Sequence, residues 1–443
     1  MDIKIISIIN EPFKDNGKII SKRSCKAKID GELFGTLGYP TQKEMFDGLD
    51  NKQLYFPNCL IEDFSFVEYR KYKKKAIDYV IELTELDLSS CIILKDFLLD
   101  YVEVRGNISF QWLQIINTSF SIKRCKLIKT NPGNPGISFR GLKTINSRIR
   151  FQKVELDSTS LDFSSSEIIK SNFNFNELEF YHNNENKYID CLCFYAMSLD
   201  KQSWIYIKDS ILKNIEIDFR SYEWYGKITF IRDEIENSYL ILCDQIIDGE
   251  LKLLELSKNY TSLINSIPDI SYGDKSNIFL ILKQNFNKLG HYDDEDSAYV
   301  EFKRCQAKAK LEESKKKGLI KKIVGCLRYR GNRFLFDFVG GYGTKPKNVF
   351  RFMIIVVLGF TPLYAFIPNF LKWEEITKHF CNIEFFNKLL IGLYHSMITF
   401  LTIGYGDIQP ESVYGSLLSG IEGFLGLFLM AYFTIAFSRK VLR

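Results

Sequence analysis

The sequence lacks the motifs that the common enzyme classes require. It contains no glycine-rich phosphate loop, no nucleophile elbow and no cluster of side chains at metal-ligand spacing. Cys191 and Cys193 are two residues apart, without a second cysteine pair or a nearby histidine at zinc spacing. The acidic run from Asp293 to Asp296 does not have the spacing of EF-hand ligands, and we interpret it as a solvated turn. We therefore expect that the protein is not an enzyme and has no cofactor.

Other absences concern targeting and gating. The start of the chain has no apolar stretch long enough for a signal peptide. No arginine-rich helix precedes the apolar C-terminal region, which argues against voltage sensing of the usual kind. Only Ser438 to Arg443 follow the last apolar run, so we expect no ligand-sensing domain after it.

Two apolar runs in the last hundred residues are long enough to cross a membrane. Phe352 to Leu371 carries no charged residue, and Leu417 to Phe437 carries only Glu422. At about 1.5 Å per residue, twenty helical residues span the roughly 30 Å of hydrocarbon in a bilayer. Phe385 to Leu401, between them, is apolar but too short to span, so we predict a re-entrant helix that enters and leaves on one side.

A motif suited to cation binding follows the re-entrant segment. It reads Thr402-Ile403-Gly404-Tyr405-Gly406-Asp407, and its backbone carbonyls can replace the hydration shell of a potassium ion. The two glycines permit backbone angles that other residues resist. A first Gly-Tyr-Gly, at 341–343, is followed by Lys345 and Lys347. Their positive charge opposes cation binding, so we interpret that motif as a turn.

The segment from Val349 to Arg443 resembles the two-transmembrane potassium channels, which carry one such loop in each subunit. The resemblance implies a homotetramer that lets potassium flow passively down its electrochemical gradient. It assigns the potassium ligands to the carbonyls of Thr402, Ile403, Gly404 and Tyr405, with the Thr402 hydroxyl as an additional ligand. It also implies that Asp407 caps the filter on its outer side and that Thr399 supports it.

The same resemblance marks positions at which this sequence departs from its relatives. Many relatives have a tryptophan pair in the pore helix, where this chain has Tyr394 and His395, and some have a glutamate where it has Ile398. His395 is either an aromatic partner of Tyr405 or a hydrogen-bonded packing residue. Gly426 occupies the position of the inner-helix hinge glycine.

Glu422 and the positions below Gly426 complete the predicted pore. A carboxylate within a membrane helix is costly and usually faces protein or water. We therefore predict that Glu422 is bonded to the pore-helix region behind the filter, with a neutral, merely packed side chain as the alternative. A spacing of three to four residues places a further set along the cavity and gate, namely Leu427, Met430, Thr434 and Ser438.

Charge predicts the orientation in the membrane. Basic residues flank both apolar runs, namely Lys345, Lys347, Arg351, Arg439, Lys440 and Arg443. The connecting loop carries Glu374, Glu375, Glu384 and Asp407. The positive-inside rule then places both termini in the cytoplasm, and we expect a prokaryotic inner or plasma membrane. Of the ten cysteines only Cys381 falls on the outer side, which excludes a disulfide framework.

A basic segment precedes the first membrane run. Lys303 to Arg333 contains twelve Lys or Arg and only Glu312 and Glu313 as acidic residues, a balance of +10. Apolar and basic residues interleave in it, as in a helix at the membrane interface, and anionic lipids are the expected partner. Nucleic-acid binding is the alternative, which proximity to the bilayer disfavours.

The region before the membrane is β-rich, and apolar residues recur in it at every fifth position. The runs are Leu83, Leu88, Ile93 and Leu98; Phe110, Ile115, Phe120 and Cys125; Phe163, Ile168, Phe173 and Leu178; Ile207, Leu212 and Ile217; and Phe230, Ile235 and Leu240. This step fits neither a helix nor an alternating strand. It resembles degenerate pentapeptide-repeat proteins and implies a right-handed β-solenoid, with a β-sandwich as the alternative.

These patterns divide the chain into four parts. We predict an N-terminal cap region over 1–55, a solenoid-like domain over 56–270, a helical hairpin with a basic interfacial helix over 271–340, and a helical pore domain over 341–443. The large N-terminal domain is expected to gate or anchor the channel, with its signal entering through the first span. In the alternative, it is a cytoplasmic module for an unknown protein partner and uses the channel as its effector.

Overall fold

The computed structural model describes residues 3–29, 31–62, 64–128, 136–181, 190–220, 223–236, 238–242, 249–254, 260–267, 270–367, 371–372 and 384–442. Of the residues used above to predict the topology, Glu374, Glu375, Cys381 and Arg443 lie outside these ranges. The chain forms two compact units, 1–290 and 291–443. The boundary falls inside the predicted 271–340 segment.

The first unit begins with short antiparallel strands. They are β1 (Ile3–Ile9), β2 (Phe13–Asp15), β3 (Lys18–Ser21), β4 (Ser24–Ile29) and β5 (Glu32–Gly38). Strand β4 lies between β1 and β5, and β2 pairs with β3. Helix α1 (Gln42–Asp50) follows, and it begins at a capping box in which Thr41 and Glu44 satisfy each other's backbone N–H groups. Strands β6 (Gln53–Tyr55) and β7 (Leu60–Ile61) and helix α2 (Phe66–Tyr72) complete this region.

Parallel strands make up the rest of the first unit. In chain order they are β8 (Ile81–Asp87), β9 (Ile92–Ile93), β10 (Phe97–Asp100), β11 (Val102–Ser109), β12 (Gln114–Ile116), β13 (Ser119–Ile128), β14 (Ile137–Ser138), β15 (Lys143–Ile145), β16 (Arg148–Asp157), β17 (Leu161–Asp162), β18 (Glu167–Ile169), β19 (Asn172–Tyr181), β20 (Asp190–Cys193), β21 (Ser198–Leu199), β22 (Trp204–Lys208), β23 (Ile211–Lys213), β24 (Ile215–Phe219), β25 (Glu223–Trp224), β26 (Lys227–Ile231), β27 (Glu234–Glu236), β28 (Tyr239–Leu242) and β29 (Glu250–Leu254).

Within the described residues, these strands pair in parallel with strands about one repeat earlier or later in the sequence. Phe120 of β13 lies beside Ile149 of β16, and Ile149 lies beside Phe173 of β19. Like side chains therefore stack on one another. The clearest stack has ring centroids 4.6 to 5.4 Å apart and consists of Phe110, Phe139, Phe163, Phe194 and Phe219.

The positions of the five-residue pattern are buried, with one exception. Leu98 is half-exposed, and its neighbours Phe97 and Leu99 point inward instead. Helices α3 (Tyr260–Asn265) and α4 (Tyr272–Leu289) end this unit. The Asn285 amide of α4 donates to the Leu251 carbonyl at 2.8 Å and accepts from the Leu251 N–H at 3.2 Å. It thereby satisfies backbone groups of β29, the last strand.

The second unit is helical. It contains α5 (Tyr292–Lys315), α6 (Leu319–Asn332), a π-helical turn (Arg333–Phe338), a 3₁₀ turn (Gly341–Gly343), α7 (Pro346–Phe366), α8 (Glu384–Phe400) and α9 (Val413–Val441). Two short strands, β30 (Leu371–Lys372) and β31 (Gln409–Pro410), pair antiparallel.

Helices α7 and α9 are long and apolar enough to cross a membrane. Helix α7 ends at Phe366, five residues before the end of the predicted apolar run. Leu371, the last residue of that run, belongs to β30. Helix α8, the predicted re-entrant helix, packs against both α7 and α9. The core between them includes Met353, Phe400 and Leu429.

Candidate functional site

The backbone of the predicted filter begins at the C-terminal end of α8. The N–H of Thr402 donates to the Thr399 carbonyl at 3.0 Å, and the N–H of Ile403 donates to the Ile398 carbonyl at 2.8 Å. These bonds satisfy carbonyls that the end of a helix otherwise leaves without a partner. They also fix the start of the filter on the rigid end of α8.

Backbone handedness alternates along the filter. The φ angle is +54° at Thr402, +58° at Gly404 and +79° at Gly406, and it is not positive at Ile403 or Tyr405. In an extended strand successive carbonyls point to opposite sides, whereas alternating handedness turns every second peptide over and aims successive carbonyls to the same side. Carbonyls aimed to one side are the arrangement that a dehydrated cation requires of a backbone binding site.

Thr402 adopts its positive φ without the freedom of glycine. A left-handed backbone is rare for a β-branched residue and costs about 1–3 kcal/mol, so it persists only where the surroundings impose it. At Thr402 the surroundings include the bond to Thr399 and the donation of the Thr402 hydroxyl to the Leu401 carbonyl at 2.7 Å. Such strain occurs at functional sites more often than elsewhere.

The C-terminal end of the predicted filter is tied back to α8. Asp407 accepts a hydrogen bond from the Tyr394 hydroxyl at 2.6 Å, and its other oxygen accepts from the Ile408 N–H at 3.0 Å. Tyr394 thus has a specific bond that the sequence did not reveal. Its place at one of the two tryptophan positions of the relatives was the only available signal.

Glu422 joins three helices behind the filter. Its side chain is fully buried and accepts from the Tyr364 hydroxyl of α7 at 2.8 Å and from the Ser396 hydroxyl of α8. These two bonds compensate the carboxyl group for its lost hydration. The contact to Ser396 places Glu422 against α8.

His395 packs within the chain, in the second of its two predicted roles. It is 4 % exposed, and its ring stands at 81° to that of Tyr364, with centroids 4.7 Å apart. Its Nε2 lies 3.2 Å from the Ser419 hydroxyl of α9 and 3.5 Å from the Thr399 hydroxyl. Thr399 and His395 therefore belong to one polar group on the filter-bearing end of α8.

Gly426 of α9 lies against the backbone of α8. A Cβ atom at this position would lie only 1.9 Å from the Phe400 carbonyl oxygen. Packing therefore requires a glycine here, in addition to any hinge. Of the predicted cavity positions in this single chain, Leu427, Met430 and Thr434 are exposed and Ser438 is half-buried.

The first Gly-Tyr-Gly forms a tight turn, as predicted, and the turn contacts α9. Gly341, Tyr342 and Gly343 all have positive φ. The Gly343 N–H donates to the Tyr432 hydroxyl at 2.9 Å, and that hydroxyl donates to the Phe336 carbonyl at 2.8 Å.

The prediction of a solvated acidic turn at 293–296 is wrong. These residues form the first turn of α5, and Glu295 and Asp296 are buried. They pair with Arg439 and Lys440 at the C-terminal end of α9. The sequence offered no signal, because the paired charges are more than 140 residues apart.

These contacts place a strained, carbonyl-bearing loop between two membrane-length helices, and the comparison with protein families agrees with that arrangement. Residues 352–443 match the family model described as "Ion channel". This segment is thus similar to ion-channel domains. It contains α8, the predicted filter, α9 and about two thirds of α7, and it covers about a fifth of the chain. Comparisons with curated proteins and with solved structures find no match.

Proposed function

We propose that four copies of this chain surround one axis and conduct potassium selectively and passively. The alternating handedness at Thr402, Gly404 and Gly406 is the observation that carries this proposal. The potassium ligands are the carbonyls of Thr402, Ile403, Gly404 and Tyr405 and the Thr402 hydroxyl. Several adjacent sites of this kind allow neighbouring ions to repel each other, so that binding does not trap an ion.

The position of α8 supports cation binding at the filter. The helix ends at Phe400, two residues before Thr402. The C-terminal end of a helix carries roughly half a negative charge. This end lies beside the first carbonyls of the filter, where it favours a cation over an anion.

The surface of a single chain supports an oligomer. Tyr405 is 71 % exposed and Ile403 is 48 % exposed, although irregular backbone at membrane depth must be shielded by protein or line water. An apolar hollow of about 490 Å³ lies beside the filter, lined by Leu390, Tyr394 and Met397 among others. Neighbouring copies would cover both the hollow and the outer faces of the filter residues.

Helix α6 supports contact with a membrane surface. Leu319, Ile320 and Ile323 are between 60 % and 80 % exposed, and α6 has no buried residue. Lys321 and Lys322 lie among them. We assign this helix to the interface, with anionic lipids as partners and with both ends of the chain on the cytoplasmic side of a prokaryotic inner or plasma membrane.

The stacked parallel strands support a solenoid-like N-terminal unit, although their repeats are longer than the twenty residues of four pentapeptides. Ile149 and Phe173, which pair directly, are 24 positions apart. We propose that this unit gates or anchors the pore.

Flux from proteoliposomes tests the channel. We expect potassium efflux that barium blocks, with sodium efflux at least tenfold slower. Gly404→Ala should abolish the preference for potassium over sodium. An alanine at φ +58° costs roughly 1–2 kcal/mol per subunit, which favours a different backbone conformation at this position. Gly420→Ala is the matched control, since a Cβ on this α9 residue meets no atom within 4 Å. Equal sodium and potassium flux in the unaltered protein, or a monomer by native mass spectrometry, would contradict the proposal.

A further inference from the structure

The first turn of α5 holds the C-terminal end of α9 through several ion pairs. The Arg439 guanidinium lies 2.9 Å from Asp296 and 3.6 Å from Glu295. The Lys440 ammonium lies 2.8 Å from Asp293 and 2.9 Å from the second oxygen of Asp296. We refer to these five residues as the ionic clamp.

Burial distinguishes the clamp from an ordinary surface ion pair. The side chains of Glu295 and Asp296 are 2 % and 8 % exposed, and that of Arg439 is 20 % exposed. The Arg439 guanidinium also lies over the ring of Tyr299, 4.3 Å from its centroid. Buried carboxylates are tolerated when they are paired, and removal of one partner leaves an uncompensated charge. Solvent therefore screens the pairs of Arg439 only weakly, whereas Asp293, the partner of Lys440, is 97 % exposed.

A second attachment lies about two helical turns further back along α9. The Tyr432 hydroxyl is held between the Phe336 carbonyl and the Gly343 N–H. The segment that holds it is tied in turn to α5, because Arg304 binds both oxygens of Asp337 at 2.7 to 3.1 Å. Helix α5 is thus connected to the last third of α9 directly, through the clamp, and indirectly, through Asp337.

This arrangement differs from the predicted route, in which a signal from the N-terminal unit enters only through the first span. Helix α5 begins at Tyr292, immediately after the first unit ends at Gly290. Its first turn already contacts α9, so no step through α7 is required. The route was not visible in the sequence because the contact joins residues at opposite ends of the second unit.

We propose that the ionic clamp positions the C-terminal end of α9 and thereby sets how readily the pore opens. The inference rests on the proposed channel function. Any movement of this end of α9 must either carry α5 with it or separate buried opposite charges. In either case the acidic turn and α9 are coupled, and a change in one changes the equilibrium of the other.

A double-mutant cycle on the full chain tests the coupling. Single-channel recordings in bilayers give the ratio of open to closed time. Arg439→Gln should change this ratio at least fivefold, since it removes the guanidinium that Glu295 and Asp296 share. In a Glu295→Gln/Asp296→Asn background the same change should have less than a twofold effect, because no unpaired carboxylate remains. The matched control replaces Glu313, in the last turn of α5, and its exposed partner Lys317, just beyond the end of that helix, with Gln and Met. It should leave the ratio unchanged.

Hydrogen exchange of the amides at 436–442 provides a readout that does not require conduction. It should accelerate at least fivefold in Arg439→Gln, in protein that size-exclusion chromatography shows to be assembled. A protein that does not conduct but shows this acceleration would contradict the channel and support the clamp. A conducting channel in which Arg439→Gln has equal effects in both backgrounds, or leaves exchange unchanged, would overturn the clamp.

Discussion

Three glycines on one face of α9 differ in the space available to a side chain, and alanine at each gives a graded prediction. A Cβ at Gly420 meets no atom within 4 Å, and at Gly423 it lies 3.6 Å from the Thr399 carbonyl oxygen. At Gly426 it lies 1.9 Å from the Phe400 carbonyl oxygen and 2.8 Å from the carbonyl carbon. The neighbour at Gly426 is the backbone of α8, which cannot rotate away as a flexible side chain can.

The magnitude follows from these distances. An ordinary contact begins at 3.4 Å, so Gly426→Ala requires the helices to separate by 3.4 − 1.9 = 1.5 Å. Overpacking of this kind typically costs about 1–3 kcal/mol. Replacing a helical glycine with alanine returns up to about 1 kcal/mol. Gly420→Ala and Gly423→Ala should therefore be neutral or stabilising, and Gly426→Ala destabilising by roughly 1–2 kcal/mol per subunit.

The three variants are compared by the melting temperature of the detergent-solubilised oligomer, which is followed by size-exclusion chromatography. Gly426→Ala should melt lowest and also lose potassium selectivity, because Phe400 lies two residues before Thr402. If Gly426 acts only as a hinge, Gly426→Ala should have the same melting temperature as Gly423→Ala. It should then change only the opening of the pore. Equal melting of these two variants would refute the packing argument.

Three further predictions concern buried or bonded carboxylates. Glu422→Ala removes the acceptor of Ser396 and should destabilise the oligomer by about 1–3 kcal/mol, whereas unchanged melting would contradict that role. Tyr394→Phe removes the bond to Asp407 and should hasten the loss of current during sustained opening; recordings indistinguishable from the unaltered channel would contradict this. In the first unit, burial raises the pKa of Asp233 to about 7. The folded state therefore binds the Asp233 proton more tightly than the unfolded state does. The contribution of this proton to the free energy of unfolding is present below about pH 4 and is lost as the pH rises to about 7. Asp233→Asn should flatten the pH dependence of melting in this range, and an unchanged profile would count against it.

Local patterns were sufficient to predict the membrane region. The lengths of the apolar runs indicated α7 and α9, and the short run between them indicated α8. The positive φ angles at 404 and 406 were also predictable, because both positions are glycines in the sequence. The five-residue recurrence predicted which side chains of the first unit are buried. It did not predict the repeat length, which depends on how the intervening turns fold.

Contacts between distant residues could not be predicted in the same way. An acidic run at a helix start is compatible with solvent, and only the fold brings Asp296 to within 2.9 Å of Arg439. The same holds for the first Gly-Tyr-Gly, whose function as a contact for Tyr432 depends on the path of α9.

The sequence by itself determined which segments can enter a membrane and where a carbonyl-lined loop can form, because hydrophobic length and glycine placement are properties of neighbouring residues. The tertiary structure alone decided how the buried charges are satisfied. Glu422 and the clamp each need partners from other helices, and the energy of a buried charge depends on the atoms that surround it in space rather than on its neighbours in the chain.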